Sequence, residues 1–148
     1  MGTVIRSVHG QDLDSISDIE QKSIEEPWNK KILLDCFGRY KVRVLEAEGS
    51  VIGFTIFQTV LDEAELFQIA VSPEMRGKGF GNQLMQDLLS ELVKNGIRTC
   101  TLEVRRSNQT AQNLYLRWGF KMIGTRKNYY RCVNGREDAF ILQWSENA

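Results

Sequence analysis

Apolar residues recur along the chain at two periods. Phe80, Leu84, Leu88 and Leu92 form one row, and Met85, Leu89 and Val93 the next. This spacing predicts an amphipathic helix over residues 80–95, and Gly96 supplies its left-handed stop. Leu13, Ile16 and Ile19 share one helical face behind Asp12, a candidate N-cap. Pro27-Trp28-Asn29 breaks that pattern, and Asn29 can cap a short helix carrying Ile32, Leu33, Cys36 and Phe37. A fourth helix carries Ala111, Leu114, Tyr115 and Trp118, starting at Ser107 or Asn108 and stopped by Gly119. The remaining apolar runs are β-rich: residues 4–8, 41–48, 51–61, 64–71, 99–104, 121–129 and 139–144. Gly49-Ser50, Asp62-Glu63 and Asn134-Gly135 mark turns between them. The order β-α-α-β-β-β-α-β-α-β-β predicts a mixed α/β fold, a twisted central sheet with helices on both faces.

Composition narrows the function class. A chain of 148 residues fits one domain, 1–148. Lysine plus arginine equals aspartate plus glutamate, 19 each. Zero net charge argues against a general nucleic-acid or membrane-surface binder. The three cysteines, Cys36, Cys100 and Cys132, form no C-x-x-C pair and read as reduced, packed thiols. His9 is the single histidine, so neither a His-based zinc site nor a Ser-His-Asp triad is expected, and no metal. No apolar run has signal or membrane-span length, which suggests a cytoplasmic enzyme.

Chemistry concentrates first in Gln68-Ile69-Ala70-Val71-Ser72-Pro73-Glu74-Met75-Arg76-Gly77-Lys78-Gly79-Phe80-Gly81-Asn82. A strand ends at Ser72-Pro73, a basic and glycine-rich loop follows, and a helix opens at Phe80. Backbone N–H groups at such a helix start suit a phosphate. Gly77, Gly79 and Gly81 let the backbone approach without a Cβ. Two other nucleotide motifs do not fit: Asn82 stands where the dinucleotide fingerprint needs Gly or Ala, and no P-loop string occurs.

A second set lies further on. Glu103 alternates with Leu102 and Val104 and faces the same side as Thr101 and Arg105, either toward solvent or into a cleft. Tyr115 follows Asn108 by seven residues, so the two share a helix face. Tyr115 can be a core residue with Leu114 and Trp118, and Asn108 a simple cap. Cys100 faces away from Glu103 and is a poor nucleophile candidate.

Arg76-x-x-Gly79-x-Gly81, placed between a strand and a helix, resembles the diphosphate-binding signature of the GCN5-related N-acetyltransferase (GNAT) family. That resemblance implies the acyl-coenzyme A N-acyltransferase fold and acetyl-coenzyme A as co-substrate. It implies a diphosphate held by Arg76, Gly77, Lys78, Gly79, Phe80, Gly81 and Asn82, and a pantetheine arm paired along Ile69, Ala70 and Val71. It further implies a cofactor contact at Asn108, Glu103 as general base and Tyr115 as general acid. Gly77 and Asn82 depart from the more usual basic or polar residues of that signature.

The similarity extends over residues 60–67, Leu102-Glu103-Val104-Arg105, Asn128-Tyr129-Tyr130, residues 135–139 and Pro27-Trp28. These stretches resemble family members that acetylate the N-terminal alanine of the eighteenth small-subunit ribosomal protein. The implied partner is therefore the N-terminal peptide of a ribosomal protein, with Tyr129, Tyr130 and Glu137 as candidate peptide contacts. Glu137 and Asp138, like Asp62, Glu63 and Glu65, can attract a cationic terminus. An α-amine titrates near 8, against about 10.4 for lysine, so deprotonation costs it about 3.5 kcal/mol less and suits a carboxylate base. The alternatives are a small-molecule amine acetyltransferase of the same fold and a non-catalytic acyl-coenzyme A binder.

Overall fold

The computed structural model describes residues 2–146; Met1, Asn147 and Ala148, at the ends of the expected domain, lie outside the described residues. The elements follow the predicted order. They are β1 (Thr3–Ser7), α1 (Leu13–Ser23), α2 (Lys30–Arg39), β2 (Lys41–Ala47), β3 (Ser50–Val60), β4 (Glu63–Val71), α3 (Phe80–Lys94), β5 (Thr99–Arg105), α4 (Gln109–Arg117), β6 (Lys121–Cys132) and β7 (Gly135–Ser145). Short 3-10 turns, Gly10–Asp12 and Pro73–Met75, precede α1 and α3. The chain divides into two compact units, Met1–Gln58 with Leu66–Glu91 and Thr59–Glu65 with Leu92–Ala148.

In the first unit the strands run in the order β1-β2-β3-β4, with β1–β2 and β2–β3 antiparallel. Helices cover both faces of these strands. Ile16, Ile19, Leu33 and Cys36 of α1 and α2 pack with Val42, Val44, Phe54, Ile56 and Ala70. Phe80 and Leu84 of α3 pack with Leu45, Ala47 and Ile52. Ile52 breaks strict alternation, because it shares parity with Phe54 and Ile56 yet joins the α3 side. The register explains this. Leu45 pairs with Gly53 and Glu46 with Val51, so β3 carries one extra residue, Ile52. A bulge of this kind flips the side-chain order along a strand.

Gly53 sits at that bulge. A Cβ built there would lie 2.9 Å from the Ala70 carbonyl oxygen and 3.1 Å from Leu84 Cδ1. The first contact is to backbone, which has little room to retreat. Glycine is therefore set here by close approach of β4 and α3, not by φ.

Local ends differ from expectation in two instructive places. Asp12 does not cap α1 with its side chain. Its carboxylate instead accepts the His9 N–H at 2.7 Å, closing the 3-10 turn, and pairs with Arg6 at 2.8 and 3.0 Å. Arg6 holds that carboxyl below the usual range. The β2–β3 turn falls on Glu48-Gly49, both at positive φ (52° and 82°), with Ser50 already in β3. A two-residue turn with both φ positive matches the twist of the flanking strands. Asn29 behaves as predicted, its Oδ1 accepting the Ile32 N–H at 2.9 Å.

In the second unit the strand order is β5-β7-β6, antiparallel throughout. Cys100, Leu102 and Val104 are buried, while Thr101, Glu103 and Arg105 on the other face are half-buried, as the alternation predicted. The β6–β7 ladder is broken between Arg126 and Tyr130, where Asn128 takes φ 53°. Among the described residues no helix is long and apolar enough to cross a membrane.

Gly53→Ala should lower stability by about 1–3 kcal/mol, the usual range for overpacking a tight site. Urea unfolding of the variant beside the parent chain checks this. An unchanged midpoint would show that β4 can retreat from β3.

Candidate functional site

In the first unit, β4 ends in a locked turn. The Ser72 N–H donates to Ile52 O at 2.8 Å, so the strand end is tied to the β3 bulge. Met75 N–H donates to Ser72 O and Arg76 N–H to Pro73 O, forming the 3-10 turn. The Arg76 Nε folds back onto Val71 O at 3.3 Å. Gly77 and Gly79 follow at φ 77° and 86°, with no atom within 4 Å of a would-be Cβ at either. Backbone conformation, not space, sets these two glycines, and the space in front of them is open.

Arg76, Gly77, Lys78 and Gly79 are exposed, whereas Phe80 is buried and anchors the start of α3 in the core. The first helical bond runs from Gln83 N–H to Gly79 O. The amides of Phe80 and Gly81 precede it, at the positive end of a long helix. Gly81 and Asn82 are half-buried behind the loop. This is a surface suited to an anion such as a diphosphate. On the adjoining strand, Ala70 is buried on the α1–α2 side, while Ile69 and Val71 are half-buried against the α3 side. Their side chains are thus engaged in packing.

The sequence reading missed Glu20 in this unit. Its side chain is fully buried on α1, and its Oε2 accepts the Trp28 N–H and the Gln68 Nε2–H, each at 2.9 Å. It thereby ties the segment between α1 and α2 to the residue just before Ile69. Glu20 Oε1 and Gln68 Oε1 are buried with no hydrogen-bond partner among the described residues. Burial pushes the Glu20 pKa up, against the two donors that lower it. A proton on the carboxyl would supply a missing donor. The signal was present in the spacing: position 20 lies four after Ile16, on the buried stripe.

In the second unit, one face of β5–β7–β6 collects the other candidates. The Arg126 Nε donates to Glu103 Oε1 at 2.8 Å. The Arg126 guanidinium lies 5.3 Å from the Tyr129 ring centre, and Tyr129 meets Tyr130 edge-on at 5.0 Å. Arg105 stacks over Tyr130 at 4.4 Å and pairs with Glu137 at 3.3 Å. The negative charge of Glu103 pushes the Tyr129 phenol up; burial and then Glu103 push Tyr130 up to about 12.

Glu137 is held internally. It accepts the Ser107 N–H at 2.9 Å and the Ser107 hydroxyl at 3.1 Å, and the Ser107 backbone bond holds its pKa below the usual range. It therefore fixes the turn into α4. Asp138 accepts the Asn128 N–H at 3.0 Å and so pins the β6 bulge. Asn108 is exposed and caps α4, its Oδ1 accepting the Ala111 N–H at 3.1 Å. Tyr115 is buried beside Phe120, with ring centres 5.8 Å apart. Burial pushes its phenol well up, with smaller contributions from Tyr130 and Cys100. Asp62 and Glu63 are exposed, and Glu65 is half-buried with its charge reaching Tyr129. The structure thus gathers Glu103, Tyr129, Tyr130 and Glu137 on one face, while Asn108 and Tyr115 lie on α4.

Comparison with known proteins adds an independent line. The model of the acetyltransferase (GNAT) family matches residues 10–120. The [ribosomal protein bS18]-alanine N-acetyltransferase of Escherichia coli K12 is 42% identical over 139 residues, covering 93% of this chain and 94% of that protein. The enzyme of the same name from Haemophilus influenzae is 40% identical over 142 residues, 95% and 97% of the two chains. The crystal structure of the ribosomal-protein-S18-alanine N-acetyltransferase from Escherichia coli superposes with a TM-score of 0.92 at 41% identity, covering 97% of this chain and 94% of that one. That of Ard1 from Thermoplasma volcanium gives 0.89 at 27%, covering 98% of both.

The raised Glu20 pKa has a stability consequence. Between the ordinary value of 4.5 and the raised folded value, the folded chain binds more protons than the unfolded chain. Its stability contribution is therefore greatest below about pH 4.5 and falls as pH rises through that window. Glu20→Gln, neutral at every pH, should gain on the parent by about 1.4 kcal/mol for each unit the folded pKa lies above the unfolded one. Urea unfolding of both chains at several pH values measures the difference. A gap that does not widen as pH rises would show that Glu20 is ionised in the fold.

Proposed function

The chain belongs to the GNAT acetyltransferase family, and from that premise we propose that it transfers the acetyl group of acetyl-coenzyme A to the N-terminal alanine of ribosomal protein bS18, in the cytoplasm. The observation that carries the substrate assignment is the 42% identity to an enzyme of that name across nearly the whole of both chains. The chemistry of the two units supports the reaction.

In the first unit, residues 76–82 hold the diphosphate. Open space before two left-handed glycines, two exposed cations and a helix start are what a bound dianion needs. Ile69, Ala70 and Val71 offer their backbone to the pantetheine arm, since their side chains already pack inward. The family resemblance assigns a further cofactor contact to Asn108, which caps α4. When bound, the co-substrate supplies an acyl group activated as a thioester.

In the second unit, Glu103 takes the proton from the substrate ammonium, freeing the lone pair that attacks the thioester carbonyl. A carboxylate suits an α-amine better than a lysine side chain, whose deprotonation costs about 3.5 kcal/mol more. Tyr115 stays protonated because burial disfavours phenolate. An ordinary thiol titrates near 8.5, below the ordinary tyrosine value of about 10. Tyr115 therefore acts first as a hydrogen-bond donor to the developing thiolate, stabilising the leaving sulfur as charge builds. Tyr129 and Tyr130 present rings and hydroxyls to the peptide, with Glu137 holding the adjoining turn in place.

The test is an assay with acetyl-coenzyme A, an Ala-initiated bS18 peptide, its N-terminally blocked form and a small polyamine, read by mass spectrometry. Acetylation confined to the free N-terminus is expected. Preference for the polyamine, or equal labelling of the blocked peptide, would overturn the substrate. Glu103→Gln and Tyr115→Phe should each lower kcat by about 10²–10⁴-fold, with coenzyme A binding retained in calorimetry. Full turnover in either variant removes that residue from the mechanism.

A further inference from the structure

The proposed reaction leaves Arg126 without a part, yet it holds the carboxylate at the centre of that reaction. Arg105, Ala139 and Arg126 form one row across β5, β7 and β6, and Glu103, Ile141 and Gly124 the next. Strands lie about 4.8 Å apart, so the Arg126 side chain reaches diagonally over the middle strand to touch Glu103. The β7 residue paired with Arg126 is Ala139, whose side chain is a single methyl group. The Arg126 guanidinium rests beside Tyr129, a residue presented by the bulge that Asp138 pins.

Two arginines serve this face, and exposure separates them. The Arg105 side chain is 12% exposed, paired with Glu137, stacked on Tyr130 and bonded to Arg131 O at 2.6 Å. It is built in. The Arg126 side chain is 55% exposed, against 20% for Glu103. An ion pair with one partner this open is weakly held and exchanges readily with solvent or a competing cation.

We propose that Arg126 is a displaceable counter-ion, which occupies the Glu103 carboxylate in the peptide-free enzyme and yields it to the incoming α-ammonium. The inference rests on the reading of Glu103 as the base. Guanidinium and peptide terminus are both cations, and they compete for one acceptor. Arg126 keeps the carboxylate paired and turned toward Tyr129 until the substrate arrives. It is a positioning residue and takes no proton. The charged and titratable groups around the exchange are Arg105, Glu137, Tyr129 and Tyr130, with Glu65 acting through Tyr129. None of these is a cation exposed to the same degree beside Glu103.

Competition predicts a split between cationic and neutral ligands that a purely structural role would not produce. The probes are an Ala-initiated peptide and the same peptide with a hydroxyl in place of its α-amine. Each is titrated by calorimetry into the full chain loaded with coenzyme A, so that no acetyl donor is present. In Arg126→Gln the cationic peptide should bind about threefold more tightly, with the neutral peptide unchanged. Arg126→Lys should restore the parent ratio. Equal changes for both peptides, or no change for either, would overturn the counter-ion role. Glu103→Gln separates the two readings. If it is inactive and indifferent to the α-amine while Arg126→Gln leaves the ratio untouched, the base stands and the counter-ion falls. If it turns over at the parent rate, both fall.

Discussion

A carboxylate set between buried Leu102 and Val104 on β5 has to be answered by a cation or by water, because an ion half out of solvent is expensive alone. Glu103 is answered by Arg126. Several features of the second unit converge on that pairing. The cation comes from β6, two strands away, and the β7 residue paired with it is the small Ala139. The guanidinium needs a second surface, and Tyr129 supplies it. Tyr129 can do so only because the β6–β7 ladder opens between Arg126 and Tyr130, with Asn128 in the left-handed region and Asp138 taking its N–H.

The first unit uses the same device for a different end. One extra residue in β3 lets Ile52 join the α3 side while Phe54 and Ile56 stay on the α1–α2 side. The same irregularity brings Ile52 O to the Ser72 N–H and so fixes where β4 stops. The glycine loop then begins at a defined point, and α3 starts where buried Phe80 anchors it. In each unit a broken ladder, rather than a regular strand, presents a candidate group: the loop after β4 in the first, Tyr129 in the second.

The order of elements, the cap at Asn29, the loop into α3 and the alternation of β5 were readable because each depends on local spacing. What was not readable depends on partners distant in sequence. Asp12 has the type and place of a helix cap, but Arg6 and the His9 N–H claim it first. The β3 bulge has no mark beyond Gly53, since a glycine within a strand signals either a bulge or a close approach and here it is both. Glu20 sat visibly on the apolar stripe of α1, yet its partners, Trp28 N–H and Gln68, lie 8 and 48 residues away. Glu137 and Asp138 read as acids able to attract a cationic terminus because nothing in sequence shows Ser107 or Asn128 beside them.

These internal bonds change the electrostatics of the proposed peptide surface. Five acids were candidates to attract a cationic terminus. Two of them, Glu137 and Asp138, are committed to backbone N–H groups, where a carboxylate is worth more than in open solvent. Their charge is partly neutralised where it stands, by the Ser107 amide and Arg105 in one case and by the Asn128 amide in the other. Asp62 and Glu63 remain exposed at the β3–β4 turn, and Glu65 faces the Tyr129 side. A chain of zero net charge can therefore still present a local negative field. That field comes from Asp62, Glu63 and Glu65 and from the fraction of Glu103 that Arg126 leaves uncovered. If the proposed roles of Glu103 and Arg126 hold, the pull of this face on an amine depends less on how many acids it carries than on which cation already sits on Glu103.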